Sequence, residues 1–202
     1  LNKSHGRSTT RNTQQLLNYT QQFGQNNLNV LVGHEYYKSN TVSLSASKTN
    51  LFSVDNLELA GALTDSQAAY SSSSDYNTEG FLSRVQYDYA SRIFASASLR
   101  RDGSSRFHPQ HGWGTFWSVG GAWIMNKEPW FPVKPWLDMF KVKASVGSQG
   151  NDSIGSFKYL NLYDITTSNG QLSTPESQVG NKDITWETNI NLNLGTEFTL
   201  LK

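Results

Sequence analysis

Apolar and polar residues alternate along most of this chain, and turn-forming clusters interrupt the alternation at intervals. The clearest case runs from Ser83 to Trp123. There Ile93, Ala95, Ala97 and Leu99 alternate with Arg92, Ser96, Ser98 and Arg100, with Phe94 the one apolar residue in the second set. Successive side chains of a strand point to opposite faces, so a period of two gives one apolar face and one wet, cationic face. The next stretch repeats the pattern: Trp113, Trp117, Val119, Trp123 and Met125 fall on one parity, and Gly114, Ser118, Gly120, Ala122 and Asn126 on the other.

In chain order the pattern predicts seven strands. The first covers Arg11 to Phe23, and Gly24-Gln25-Asn26-Asn27 turns it into a second from Leu28 to about Tyr37, extending towards Ala46. A third spans Thr78 to Asp88, turns near Tyr89-Ala90-Ser91, and continues as a fourth from Arg92 to Arg101. The fifth runs from Trp113 to Asn126 and the sixth from Phe140 to Gly147. The last sets Trp186, Ile190, Leu192, Leu194 and Phe198 against Glu187, Asn189, Asn191, Asn193 and Glu197. Between them, 48–77, 102–112 and 148–183 read as long loops. Pro129, Pro132 and Pro135 exclude a strand between the fifth and sixth, and Pro135 could open one helical turn through Trp136-Leu137-Asp138. All five prolines fall outside the strands, as ladder hydrogen bonding requires.

The connections alternate short and long. This is the pattern of an up-and-down transmembrane β-barrel, whose strands need about 9–11 residues per crossing. Composition agrees. Only 16% of the 202 residues are charged, while aromatics reach 12%. No stretch approaches the roughly 20 apolar residues of a membrane helix, but a barrel hides its lipid face in alternation. The net charge of +1 implies no nucleic-acid partner, and the absence of cysteine excludes a disulfide framework or a thiolate metal site. Every backbone donor inside a bilayer must be paired, and seven strands with free edges cannot close. The chain therefore reads as all-β, antiparallel, and part of one larger barrel domain, with Leu1 beginning in mid-pattern.

Candidate chemistry is sparse. Arg100, Arg101, Asp102 and Arg106 could grip an anion through their planar donor forks, but a cluster at a strand end reads first as charges paired with one another. His108 and His111 beside Asp102 are too loosely spaced for a metal site. Gly147-Ser-Gln-Gly150 lacks the Lys and following helix of a phosphate loop. No nucleophile-base or paired-carboxylate arrangement points to an enzyme, and no cofactor is implied. Arg84, Arg92, Arg100, Lys141, Lys143 and Glu187 would line the barrel lumen, where they would touch a plug or a polar solute, or simply hydrate the interior. Phe52, Tyr70, Tyr159 and Tyr163 on the loops could stack on sugar rings or pack loop against loop.

Leu99-Arg-Arg-Asp-Gly-Ser-Ser-Arg-Phe107 resembles the RRDGSSRF signature of SusC/RagA-type TonB-dependent outer-membrane transporters of Bacteroidota. Ser83-Arg-Val-Gln-Tyr-Asp-Tyr89 resembles the strand that leads to it in that family. Trp113-Gly-Thr-Phe-Trp-Ser-Val119 with Ala122-Trp123, Val142 to Asn151, and Thr185-Trp186-Glu187 with Asn193-Leu194-Gly195 resemble further family motifs, in order. Trp117 stands where the family usually has Pro, and His108-Pro109-Gln110-His111 replaces a Gly/Asn-rich loop.

The resemblance marks Arg100, Arg101, Asp102, Gly103, Arg106 and Phe107 as a junction between barrel wall and loop. It implies a Gram-negative outer-membrane protein that imports oligosaccharides or peptides across a lipid bilayer. A SusD-like surface lipoprotein, TonB and the protein's own plug domain would be its partners. The plug and the TonB-contacting segment are not in this sequence. Two other readings are open: a soluble all-β carbohydrate-binding module, which would bury its apolar faces in one dry core, and a non-transporting barrel such as an adhesin anchor.

Overall fold

The computed structural model describes residues 1–62, 67–132 and 135–200. Residues 63–66 of the first expected loop, 133–134 of the proline segment and 201–202 lie outside the described residues. The described strands are β1 (Asn2–Phe23), β2 (Asn26–Lys48), β3 (Gln67–Tyr89), β4 (Ile93–Ser104), β5 (Trp113–Ile124), β6 (Leu137–Asn151), β7 (Leu162–Tyr163), β8 (Thr166–Ser168), β9 (Gln171–Ser173), β10 (Glu176–Gln178) and β11 (Glu187–Leu200). Seven of them form one sheet in the order β1-β2-β3-β4-β5-β6-β11, and the short ones pair as β7 with β10 and β8 with β9.

Two compact units divide the chain: residues 1–12 with 37–77, and residues 13–36 with 78–202. Ser, Thr, Asn and Asp side chains link the strands of the first. Ser8 and Thr41 share a hydrogen bond of 3.2 Å, Asn40 donates to Asp75 at 2.9 Å, and Ser43 and Ser72 meet at 2.7 Å. Lys3 reaches Glu58 at 2.5 Å, and Leu51 bridges Ala62. The sequence leaves 68–77 in a loop because Tyr70-Ser-Ser-Ser-Ser-Asp-Tyr76 does not alternate. The structure corrects this, since those residues are the first part of β3. Alternation arises only where one face meets apolar surroundings, so a strand wet on both sides carries none.

The second unit holds the alternating strands. Gly24 takes φ +61° between β1 and β2. Ala90 and Ser91 both take positive φ between β3 and β4, and the Arg92 amide donates to the Tyr89 carbonyl at 3.0 Å. That is the geometry of a type I′ hairpin turn, whose twist matches the strands it joins. The expected helical turn through Trp136-Leu137-Asp138 is instead a turn at Pro135–Trp136 followed by β6 from Leu137. Asn126 explains this: its amide donates to the Asp138 carbonyl at 2.8 Å and its carbonyl accepts the Phe140 amide at 2.9 Å, so the chain is tied into the sheet as soon as the prolines end.

The register sets two faces. Val85 lies opposite Ala97, Ala97 opposite Val119, Val119 opposite Val146, and Val146 opposite Leu192. One residue along, Arg84, Ser98, Ser118, Gly147 and Asn191 form the neighbouring row on the other face. The apolar row is exposed: Leu192 by 68% and Val119 by 52%. Among the described residues the buried apolar side chains are Ala62, Phe107 and Phe116, none from that row. A soluble sandwich would bury it, so the apolar face is built to meet lipid.

Aromatic rings gather at both ends of that face. Trp113 and Phe81 stack at 6.2 Å at the loop end. Trp123, Trp130, Phe131, Phe140 and Phe198 form a chain of ring contacts of 5.0–6.0 Å at the turn end. Ten residues separate Trp113 from Trp123 on β5. At a rise of ~3.4 Å per residue and a tilt of about 45°, that is a height of ~24 Å, which matches the ~25 Å apolar band of an outer-membrane barrel.

The face assignment is testable in the full-length protein. Val119→Arg places a charge at mid-band on the apolar face and should cost about 2–4 kcal/mol, whereas Ser118→Arg, one residue away on the wet face, should leave folding near wild type. The fraction migrating as a folded, heat-modifiable band on unheated SDS gels reads both. Equal loss in the two variants would refute the faces.

Candidate functional site at the loop end of the sheet

On the wet face the charges pair. The Arg100 guanidinium donates to Asp102 at 2.7 Å on its own strand and to Glu35 of β2 at 2.7 Å. Gly80 makes this possible, because a Cβ there would collide with the Asp102 carboxylate and crowd the Arg100 guanidinium. At the turn end Lys141 donates to Glu197 at 3.1 Å, and Lys143 reaches the same carboxylate. Glu187 accepts from the Asn151 amide at 2.9 Å. Arg92 sits in the turn before β4, not on a strand face; it donates to Glu128 at 3.1 Å and covers the Tyr89 ring at 5.0 Å. Arg84 is exposed beside the Ser98–Ser118 hydrogen bond and takes no carboxylate partner among the described residues.

Adjacent signature residues part company. Arg101 has the opposite parity to Arg100 and lies on the apolar face, its guanidinium over the Trp113 ring at 5.7 Å. Gly103 faces Trp113 directly across β5. A Cβ there would lie about 3.0 Å from the indole, so the ring closes over bare backbone.

Past β4 the signature folds into a small core. Ser104 is buried; its hydroxyl donates to Asp152 at 2.7 Å and accepts the Arg106 amide at 3.3 Å. Arg106 donates to the Asp152 carbonyl at 3.0 Å and lies 3.6 Å from its carboxylate. Phe107 is only 2% exposed. It packs on Trp186 at 5.4 Å, and Trp186 packs on Phe116 at 5.3 Å. The Trp186 indole N–H donates to the Gly112 carbonyl at 2.9 Å, and the Thr185 hydroxyl to the His111 carbonyl at 3.2 Å. Phe116 fills the space over two glycines, since a Cβ on Gly150 or on Gly114 would strike its ring.

Sequence reasoning assigns Trp186 to the apolar row of the last strand. The structure corrects this: β11 begins at Glu187, and the indole turns into the core instead. The same reasoning missed Ser104, Asp152, Phe116 and Gly150 as partners of Arg106 and Phe107. The one available signal was that three separate motifs each end near the loop side of a strand.

The histidines do not converge. His108 contacts the Tyr159 ring edge-on at 5.8 Å, and His111 lies 3.8 Å from the exposed carboxylate of Asp183. No cluster of three metal-ligating residues exists among the described residues. Phe52 is 90% exposed, and Tyr163 is exposed beside the β7–β10 pair. Tyr70 is exposed within β3, not on a loop.

A family model described as a TonB-dependent receptor-like β-barrel matches residues 2–201. TonB-dependent receptor P3 of Formosa agariphila is 30% identical over 96% of this chain and 20% of its own length. TonB-dependent receptor SusC of Bacteroides thetaiotaomicron is 30% identical over 60% of this chain and 13% of its own length. Among solved structures, the RagAB peptide transporter matches with a TM-score of 0.92 at 25% identity, covering 98% of this chain and 22% of that one. The RagAB peptide importer in its open-open state matches at 0.89, also with 25% identity. The chain spans about a fifth of the length of these relatives, or less. Exposed apolar rows, paired wet-face charges, the loop-end core and these matches agree, and the chain belongs to the TonB-dependent receptor β-barrel family.

Proposed function

We propose that this chain is a run of seven consecutive wall strands in a TonB-dependent importer of the outer membrane, which takes up oligosaccharides or peptides together with a SusD-type surface lipoprotein. The observation that carries this is the exposed apolar row on a continuously paired sheet, with aromatic rings at the two limits of a band of bilayer height. Family membership and likeness to SusC and to the RagAB peptide transporter support the import activity and the two-component arrangement. The peptide arm rests on RagAB, and the oligosaccharide arm on the resemblance of the signature motifs.

In this reading the long connections, 49–66, 105–112 and 152–186, lie outside the cell, because outer-membrane barrels put short turns on the periplasmic side. Arg84, Lys141, Lys143 and Glu187 face the lumen, where a plug domain supplied by the rest of the protein would sit. Lys141 and Lys143 spend their charge on Glu197, which leaves Arg84 the most available of the four. No bond is made or broken. The protein captures cargo, and the energy for its passage comes through TonB. The signature is a brace between wall and loop, not a cargo site, since its polar groups bind one another and its rings are packed.

Two experiments follow. In cells that make the full-length protein, deleting TonB should abolish uptake of a labelled oligosaccharide or peptide panel while the folded barrel stays in the outer membrane. Uptake that survives would point to a passive pore or an anchor. Arg106→Ala removes a donor from Asp152 and should destabilise the barrel by about 1–3 kcal/mol. Gly150→Ala, which forces Phe116 to move, should cost a similar amount, about 1–3 kcal/mol. Both should lower the amount of folded barrel with cargo preference unchanged. Wild-type barrel levels with an altered cargo range would make the signature a cargo site.

A further inference from the structure

We propose that the apolar face carries a binding site for a phosphate-bearing lipid, with one acyl chain in a groove across β1–β4 and the headgroup phosphate on Arg101. The inference rests on the barrel reading, because it places this face against the outer leaflet.

The groove has a volume of about 560 Å³, and its apolar walls include Leu17, Val32, Phe81 and Leu99. Ser83 lies in its floor, directly opposite Leu99. It is the small residue of its row: Phe81 and Val85 flank it on the same face of β3. The gap left by a serine among larger apolar side chains is the shape a hydrocarbon chain fills.

Arg101 stands at the loop end of this groove. Its neighbours across the ladder are Phe81 and Thr115, and its guanidinium rests on the Trp113 ring. Among the described residues no carboxylate lies within ion-pairing distance of it. The contrast with Arg100 is sharp, since that side chain takes two carboxylates on the opposite face. The nearest acid on the apolar side of β3, Glu79, is engaged by His34 Nε2 at 2.9 Å, while His34 Nδ1 meets Gln15 at 3.0 Å and the imidazole stacks on Phe81. A charged arginine on a lipid-facing surface extends to the headgroup level and needs an anion there. A phosphate matches the planar donor fork, and the Trp113 ring holds that fork in place. Loop-end placement puts the site in the leaflet outside the cell, so the expected occupant is the phosphorylated glycolipid of that leaflet.

The test uses the full-length protein in detergent with purified bis-phosphorylated lipid A and, separately, its dephosphorylated form. Native mass spectrometry reads the fraction of protein carrying lipid, after heat-modifiability has shown that each sample is a folded barrel. Wild type should retain the phosphorylated lipid and lose the dephosphorylated one. Arg101→Gln should lower retention about tenfold, the scale of one charge-assisted phosphate contact. Ser83→Phe, which fills the groove and leaves the arginine in place, should also displace the lipid. Equal retention by wild type and Arg101→Gln, or of the two lipids by wild type, would overturn the proposal and leave the barrel standing. A lipid-independent dimer lost in Ser83→Phe would give the groove to a second copy of the protein and overturn it as well. Absence of a folded barrel in wild type would overturn both readings.

Discussion

In a hydrocarbon layer no water is available to satisfy a backbone N–H or C=O, and each group left unpaired costs several kcal/mol. The rest of this structure follows from that constraint. From β3 through β4, β5 and β6 to β11 the antiparallel register runs on, with a shift only between Thr199 and Leu200, at the end of β11. Pro109, Pro129, Pro132, Pro135 and Pro175 all lie outside the strands, because a proline inside would remove a ladder donor. With the backbone committed to its neighbours, the side chains are free to differ between faces, and the period of two turns one chain into a lipid surface and a water surface.

The constraint relaxes where the strands leave the apolar band, and the sequence changes character there. Strand residues 2–12, 37–48 and 68–77 bind one another through Ser, Thr, Asn and Asp side chains. At the end of β4 a different solution appears. Ser104, Arg106 and Phe107 carry the chain from a two-faced strand into a loop with a core of its own, closed by Asp152 and Trp186 from the two ends of the 152–186 connection. The glycines at 114 and 150 belong to this solution, since the Phe116 ring occupies the place their side chains would take.

The seven strands of the main sheet and their two faces were legible in the sequence because both depend on local parity, while the short pairs β7–β10 and β8–β9 within 148–183 carry none and were read as loop. Arg84, Lys141, Lys143 and Glu187 needed only odd-even counting to be grouped. The strand ends were not legible: Tyr70-Ser-Ser-Ser-Ser-Asp-Tyr76 is a strand whose faces both meet water, and no pattern distinguishes it from a loop. The loop-end core was also hidden. Its contacts join residues up to 79 positions apart, as from Trp186 to Phe107, and its centre, Trp186, leaves the parity of the strand it precedes. The Glu35 partner of Arg100, 65 positions away, shared a face with it by parity alone, and nothing in the sequence set the register that brings them together.

Arg100 and Arg101 show how far that logic reaches. They have the same chemistry and adjacent positions, and a strand sends them to opposite faces. On the wet face Arg100 is neutralised within the sheet itself, by Glu35 and Asp102. On the apolar face Glu79 is taken by His34, and no carboxylate among the described residues lies within ion-pairing distance of Arg101; the indole of Trp113 orients its guanidinium without cancelling its charge. A pair of arginines that reads as one basic patch is thus split by the period of two, one locked to carboxylates of the wet face and the other laid over an indole on the apolar face.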